Sequence, residues 1–389
     1  MPIRRVFLIV LDSLGIGAAS DAYRFSDTGA DTLSHVAASP RFSIPTLRSL
    51  GLFNIDGLSA LGGVAAPLAA HARMRERSNG KDTTVGHYEI MGRVSEKPFP
   101  TYPNGFPTHI IRRFSELTGC GVLCNRPYSG TDVIRDYGDA HMKTGDLIVY
   151  TSADSVFQVA AEESVVPTET LYRYCEAARR LLSGDDAVAR VIARPFKKEN
   201  GAYKRTEGRR DFALPPPYPT ACDLVSEAGL DVIGVGKISD IFAGRGITES
   251  YPTHSNGEDM AVTKELLSRD FHGLCFVNLV DFDMVYGHRQ DRDGYAAALS
   301  RFDAWLSEIL PMLREDDVLL ITADHGCDPT DESTDHTRED TPLLVYGERI
   351  CPVSLGIREG FADIGKTVCD LLGVRSDEIE GKSIIAETM

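Results

Sequence analysis

The sequence predicts an α/β fold on a mostly parallel sheet, interrupted by an inserted domain. Three observations predict it: strand-sized apolar runs alternate with helical patterns, three of those runs end in carboxylates, and proline clusters bracket a middle stretch of different character. Alternating strands and helices imply a parallel sheet with helices packed on it. In such an open sheet ligands bind beyond the carboxyl ends of the strands, so acids far apart in sequence converge on one place.

The first run is Val6-Phe7-Leu8-Ile9-Val10-Leu11, which meets Asp12. Next, Asn79-Gly80-Lys81-Asp82-Thr83-Thr84-Val85-Gly86-His87-Tyr88-Glu89 sets a turn, a lysine and two hydroxyls before a helix-compatible stretch. Thr83 or Thr84 fits a helix cap there. Either also fits a nucleophile activated by metal, and a helix start favours phosphate. The clusters Pro98-Phe99-Pro100-Thr101-Tyr102-Pro103 and Pro215-Pro216-Pro217-Tyr218-Pro219 mark breaks. If the acids on both sides share one site, the stretch between is an insertion, which predicts a discontinuous core over 1–96 and 220–389 and an inserted domain over 97–219.

Beyond it, Asp231-Val232-Ile233-Gly234-Val235-Gly236, residues 274–280, residues 317–323 and Pro342-Leu343-Leu344-Val345-Tyr346 recur at βα spacing. The second of these precedes Asp281-Phe282-Asp283, and the third precedes Asp324-His325-Gly326. Asp281 and Asp283 face one side if their strand continues. Between Gly294 and Leu313 the residues Ala297, Leu299, Phe302, Trp305, Leu306, Ile309 and Leu310 fall at helical spacing, which predicts a covering helix with Trp305 in the core. No internal repeat is evident.

With 389 residues the chain exceeds the roughly 250–300 at which one core stops growing. A hydrophobic fraction of 42% and a charged fraction of 25% are those of a soluble globular protein. No apolar run approaches the ~18 residues of a membrane span, and no secretory leader is visible, so a cytoplasmic location is expected. Net charge −16 and a pI near 5.1 exclude a general nucleic-acid surface. The eight cysteines (120, 124, 175, 222, 275, 327, 351 and 369) are scattered, which suits reduced thiols, and Cys120-x-x-x-Cys124 lacks the second pair of a zinc finger.

Carboxylates gathered at strand ends need a cation, and His288, His325 and His336 lie close by in sequence. Carboxylates mixed with imidazoles suit Mn2+, Zn2+ or Mg2+, in a site expected to hold two ions. Lys81-Asp82-Thr83 with Gly86-His87, Val280-Asp281-Phe282-Asp283 with Tyr286-Gly287-His288, Ala323-Asp324-His325-Gly326 and Asp335-His336-Thr337-Arg338-Glu339 together resemble the phosphopentomutase family of the alkaline-phosphatase superfamily. The likeness runs from Asp12-Ser13-Leu14-Gly15-Ile16-Gly17 to Phe361-Ala362-Asp363-Ile364-Gly365. It implies an alkaline-phosphatase-like α/β/α sandwich with an inserted α+β cap domain.

The same resemblance implies that Thr83 is the phosphorylated nucleophile and bridges two Mn2+ ions. Asp12, Asp324 and His325 would hold one ion; Asp283, His288 and His336 would hold the other. Asp281 would lie outside the ligand set. The implied reaction interconverts ribose or deoxyribose 5-phosphate with the α-1-phosphate through a bound 1,5-bisphosphate. A sugar bisphosphate such as glucose 1,6-bisphosphate would act as primer. Sugar phosphates are the implied partners, with no nucleic acid, membrane or obligate protein partner.

A phosphatase or sulfatase-like hydrolase could share such a site, as could an inactive metal-binding scaffold. The mutase reading looks to the inserted domain, where residues 190–210 hold eight basic and two acidic residues. Arginine forks match phosphate oxygens. Of these the resemblance selects Arg190 and Arg205. It adds Lys237, whose surroundings do not fit a P-loop, and it assigns Ser152 and Asp154, after the strand-like Leu147-Ile148-Val149-Tyr150, to sugar hydroxyls.

Overall fold

A computed structural model describes residues 3–152 and 155–389. Along the chain the strands are β1 (Arg5–Leu11), β2 (Ala70–Met74), β3 (Val122–Pro127), β4 (Leu147–Thr151), β5 (Val156–Glu162), β6 (Arg190–Glu199), β7 (Ala202–Arg205), β8 (Arg210–Ala213), β9 (Asp231–Val235), β10 (Glu249–Tyr251), β11 (Gly273–Leu279), β12 (Asp317–Thr322), β13 (Thr341–Tyr346) and β14 (Ser354–Arg358). Two compact units result: Met1–Pro98 with Pro216–Met389, and Phe99–Pro215. The inserted unit is thus slightly shorter at both ends than the proline clusters suggested, because the flanking prolines belong to the larger unit.

In the larger unit the sheet order is β10-β9-β11-β1-β12-β13-β2-β14. β1 runs parallel to both β11 and β12, with Val10 opposite Asn278 on one side and Thr322 on the other. Asp12 and Asp324 therefore both stand two residues beyond the same rung, and the β11 loop starts beside them. Side chains alternate across a strand, so Phe7, Ile9 and Leu11 enter one apolar cluster while Val6, Leu8 and Val10 enter another. Both faces of the central strands are covered, as a parallel sheet requires. The Arg292–Ile309 helix covers one face through Leu299, Phe302 and Leu306, with Trp305 half-buried at its margin.

One expectation changes. The run 342–346 was grouped with the βα-spaced strands, yet β13 lies antiparallel to β12 and to β2. The polar loop 323–340 between β12 and β13 holds no helix to carry a crossover, and antiparallel neighbours can be joined without one.

The inserted unit is a sheet of order β3-β4-β5-β6-β7 with β8 on β6, and the Thr108–Thr118, Gly130–Thr144 and Thr168–Leu181 helices pack with it. Its apolar side chains fall into two clusters, one headed by Phe114, Phe157 and Val191 and the other by Val133, Tyr150 and Phe196. The basic stretch 190–210 forms strands here rather than a loop. Among the described residues no helix is long and apolar enough to cross a membrane.

Candidate metal centre and active site

Four pieces of the larger unit bring the candidate ligands together. Asp12 leaves β1, Asp324 and His325 leave β12, Asp283 and His288 follow β11, and His336 lies in the loop before β13. One donor atom each from Asp12, Asp324 and His325 fits within 4.8 Å, and so does one each from Asp283, His325 and His336. The set Asp283, His288 and His336 is held by pairs: Asp283 Oδ2 lies 3.2 Å from His288 Nε2, and Asp283 Oδ1 lies 3.4 Å from His336 Nε2. The His325 and His336 rings are 4.2 Å apart, which joins the two groups.

A local departure from α-helical geometry aims Asp283 and His288 at one point. Residues Phe282–Gly287 form a π-helix, with His288 N–H donating to the Asp283 carbonyl at 3.0 Å. In an α-helix residues five apart are separated by about 1.4 turns and diverge; the i→i+5 turn returns them to the same side. The strand therefore does not continue through Asp281 and Asp283, and the two do not share a face. Asp281 turns away instead, accepting from Asn256 N–H at 2.9 Å while its own N–H donates to Asn256 Oδ1 at 2.8 Å.

Hydrogen bonds fix the imidazoles. His325 Nδ1 faces the Gly326 carbonyl at 3.0 Å and His288 Nδ1 faces the Thr334 carbonyl at 2.6 Å. A carbonyl only accepts, so each Nδ1 carries the proton and each Nε2 presents a lone pair. Those Nε2 atoms look at carboxylate oxygens: His325 Nε2 lies 3.4 Å from Asp12 Oδ1 and 3.3 Å from Asp324 Oδ2. Asp12 Oδ1, Asp283 Oδ1 and Asp324 Oδ2 are buried and receive no well-formed hydrogen bond. Lone pairs facing lone pairs in a buried place call for cations between them, so the donor set fits divalent ions.

Without a cation the same contacts need protonated imidazoles to keep the carboxylates charged. Burial, then the charges of Asp324 and Asp283, push the Asp12 carboxyl up to about 7. Burial would also raise Asp283 and Asp324, but the imidazoles overcome it: His336 and His288 hold Asp283 well below the carboxylate range, and His325 and His87 lower Asp324.

Thr83 opens the Thr83–Ile90 helix, and its Oγ1 lies 3.1 Å from His325 Nε2. The helix cap is neither threonine: Asp82 accepts from Thr84 N–H at 3.0 Å and Val85 N–H at 3.2 Å. That choice leaves the Thr83 hydroxyl available to the cluster. Gly86, one turn on, packs against Asp324; a Cβ there would stand 2.3 Å from the Asp324 carbonyl oxygen. Arg338 holds the loop before the helix, donating to Gly80 O at 2.6 Å and Glu76 O at 2.8 Å and pairing with the Glu76 carboxylate. Lys81 is tied to Asp27 at 3.1 Å and Asp335 at 3.4 Å.

Two buried residues drew no role from the sequence. His87 Nδ1 lies 2.9 Å from the Thr83 carbonyl and 3.1 Å from Asp324 Oδ2, and Asn278 Nδ2 donates to Asp12 Oδ2 at 2.9 Å. An asparagine inside the apolar run 274–280 was the available signal. Glu339 likewise braces the site: its carboxylate accepts from Gly17 N–H and Thr32 N–H at 3.0 Å and from the Thr32 and Thr337 hydroxyls. It lies so close to Gly15 and Gly326 that a Cβ at either would stand 2.3 Å from it.

The remaining candidates are dispersed. Lys237 precedes the short Ile238–Ile241 helix of the larger unit, with Nζ 3.6 Å from Met284 Sδ. Ser152, Arg190 and Arg205 belong to the inserted unit, and Asp154 lies outside the described residues. Arg190 pairs with Asp211 at 3.6 Å. Arg205 is exposed and runs across Gly130, where a Cβ would collide with its guanidinium and approach the Tyr150 hydroxyl.

A family profile described as the Metalloenzyme superfamily matches residues 4–376. Among solved structures the fold is similar to Leishmania mexicana phosphoglycerate mutase, with TM-score 0.51 at 13% identity over 98% of each chain. It is equally similar to the PH0037 protein from Pyrococcus horikoshii, with TM-score 0.51 at 14% identity over 98% of this chain and 100% of that one. Fold and profile define an enzyme of the alkaline-phosphatase-like metalloenzyme superfamily. The phosphopentomutase of Lachnoclostridium phytofermentans is 55% identical over 99% of both chains, and that of Acetivibrio thermocellus is 54% identical over 99% of this chain and 100% of its own. The chain belongs to the phosphopentomutase family, and so to the isomerases that transfer a phosphoryl group within a substrate.

Proposed function

We propose that this enzyme interconverts ribose or deoxyribose 5-phosphate with the α-1-phosphate by way of phospho-Thr83 and a bound 1,5-bisphosphate. The observation that carries the reading is the Thr83 hydroxyl, 3.1 Å from His325 Nε2 where the two ligand groups meet. Asp12, Asp324 and His325 would hold one divalent ion and Asp283, His288 and His336 the other, with Mn2+ the ion implied by the family. Bound there, the pair neutralises phosphoryl charge and stabilises the attacking and leaving oxygens.

The chain's own groups do the positioning, which is most of what phosphoryl transfer requires. Asp82 fixes the first turn of the helix, and the helix start faces the phosphate with its positive end. In the forward step the Oγ–P bond of phospho-Thr83 breaks as a sugar hydroxyl forms its own O–P bond, and that hydroxyl's proton ends on Thr83 Oγ. The other phosphate of the bisphosphate then returns to Thr83 by the reverse exchange. A sugar bisphosphate such as glucose 1,6-bisphosphate would load Thr83 at the outset.

The family resemblance would give Ser152 and Asp154 of the inserted unit to sugar hydroxyls, and Arg190 and Arg205 of that unit with Lys237 of the larger unit to the distal phosphate. The excess of bases over residues 190–210 supports a bisphosphate intermediate over simple hydrolysis. The test is a coupled assay of the Mn2+-loaded chain with both pentose 5-phosphates. Faster release of inorganic phosphate than of pentose 1-phosphate would replace this reading with a hydrolase.

A further inference from the structure

Most of the buried cysteines sit among apolar side chains: Cys275, Cys222, Cys369 and Cys175 all belong to the apolar clusters. Cys327 does not. It is 1% exposed, two residues past His325, with Sγ 4.0 Å from His288 Nδ1 and 3.7 Å from the Asp335 carbonyl. Burial, then the charges of Asp283, Asp335, Glu339 and Asp12, push its thiol up. Gly287 makes room for it: a Cβ there would come within 2.8 Å of Sγ, so only a bare backbone lets the thiol lie against the π-turn.

One donor atom each from Asp283, His288 and Cys327 lies within 4.8 Å of the other two, and Asp283 Oδ1 is buried without a well-formed hydrogen bond; with His288 Nδ1 donating to the Thr334 carbonyl, the lone pair His288 offers an ion is that of Nε2. Carboxylate, imidazole and thiol together are a donor set for a thiophilic ion rather than for Mn2+. We propose that Asp283, His288 and Cys327 form a soft-metal site overlapping the second ion position of the proposed active site, so that Zn2+ competes there with Mn2+. Asp283 and His288 belong to both ligand sets, so the two modes of occupancy exclude one another. On binding, the S–H bond breaks, a sulfur–metal bond forms and the proton leaves to solvent. The divalent series favours Zn2+ and Co2+ over Mn2+ at any such site, and sulfur widens the gap.

The inference rests on the two-ion reading, and the test separates the two. Metal-free full-length protein is titrated with Co2+ and watched for a thiolate-to-cobalt charge-transfer band in the near ultraviolet. The band is expected in the parent and in a Cys351→Ser control, and its loss is expected in both Cys327→Ser and Cys327→Ala. In parallel, Zn2+ is titrated into Mn2+-loaded protein while bound Mn2+ is followed by electron paramagnetic resonance; removing the thiol should raise the Zn2+ needed by about 10-fold. Absence of the band in the parent, its persistence in both Cys327 variants, or an unchanged Zn2+ requirement overturns the proposal. Two bound Mn2+ without a band sinks the thiol's part alone, whereas a thiolate band in a protein that binds no Mn2+ upholds the soft site and sinks the two-manganese reading.

Discussion

The acids of the metal cluster are buried and face imidazoles or one another, whereas the bases of the inserted unit are mostly exposed and already paired. Lys197 with Glu163, Lys198 with Asp139 and Lys204 with Glu199 are surface pairs. Such pairs are worth about 0–1 kcal/mol, so exchanging a carboxylate for a phosphate there is cheap. The buried carboxylates of Asp12, Asp283 and Asp324, each with an oxygen left short of a well-formed hydrogen bond, are the opposite case, because that cost persists until a cation arrives. On the proposed function, the contrast would give rigid, buried charge to chemistry and adaptable charge to holding substrate.

The strongest way to break that contrast is Thr83→Ala. Loss of the proposed nucleophile should lower turnover on the order of 10^4-fold or more, and mass analysis after incubation with glucose 1,6-bisphosphate should find phosphate on Thr83 of the parent only. Label on Thr84 would relocate the chemistry by one residue. Next in size is Asp12→Asn. Its carboxyl is raised above 3.8 to about 7 in the bare cluster, so its folded-state stability is present below the unfolded value and lost as pH rises through 7. At pH 8 the substitution should therefore raise the melting temperature of chelated protein, lower that of Mn2+-loaded protein and abolish activity. A melting temperature that falls in both conditions would show the carboxylates to be compensated without metal.

Arg205→Ala sharpens the other half. Loss of a charged phosphate contact, about 1.5–3 kcal/mol, should raise KM roughly 10- to 100-fold with a smaller change in kcat. An unchanged KM would remove Arg205 from the substrate. The smallest effect concerns Glu339, which burial raises from 4.5 to about 6 against four hydrogen bonds. A raised carboxyl contributes stability below its unfolded value that is lost as pH rises through about 6, here about 2 kcal/mol. Denaturant midpoints between pH 4.5 and 7.5 should show that loss in the parent, and a shallower one in Glu339→Gln.

Much of this was legible in the residues because strand ends are local features. Val6–Leu11 before Asp12 and Val318–Ala323 before Asp324 needed only their apolar character, and the in-register pairing of β1 with both neighbours does the converging. What escaped depends on geometry that sequence spacing does not carry. The π-turn decides between Asp281 and Asp283, Asp82 displaces the threonines from the cap, and β13 reverses because its partner lies next to it without a crossover. His87 and Asn278 gained no role because each looks ordinary in its own segment and meets the aspartates from distant parts of the chain, Asp324 for His87 and Asp12 for Asn278.

The packing of Gly86 against the Asp324 backbone means that a hydrogen atom is the spacer between the Thr83–Ile90 helix and the end of β12. Loops can lengthen and surfaces can drift without altering that separation, since it is set by direct contact of main chain with main chain. Any side chain at this point would act as a wedge, driving the start of the Thr83–Ile90 helix and the end of β12 apart.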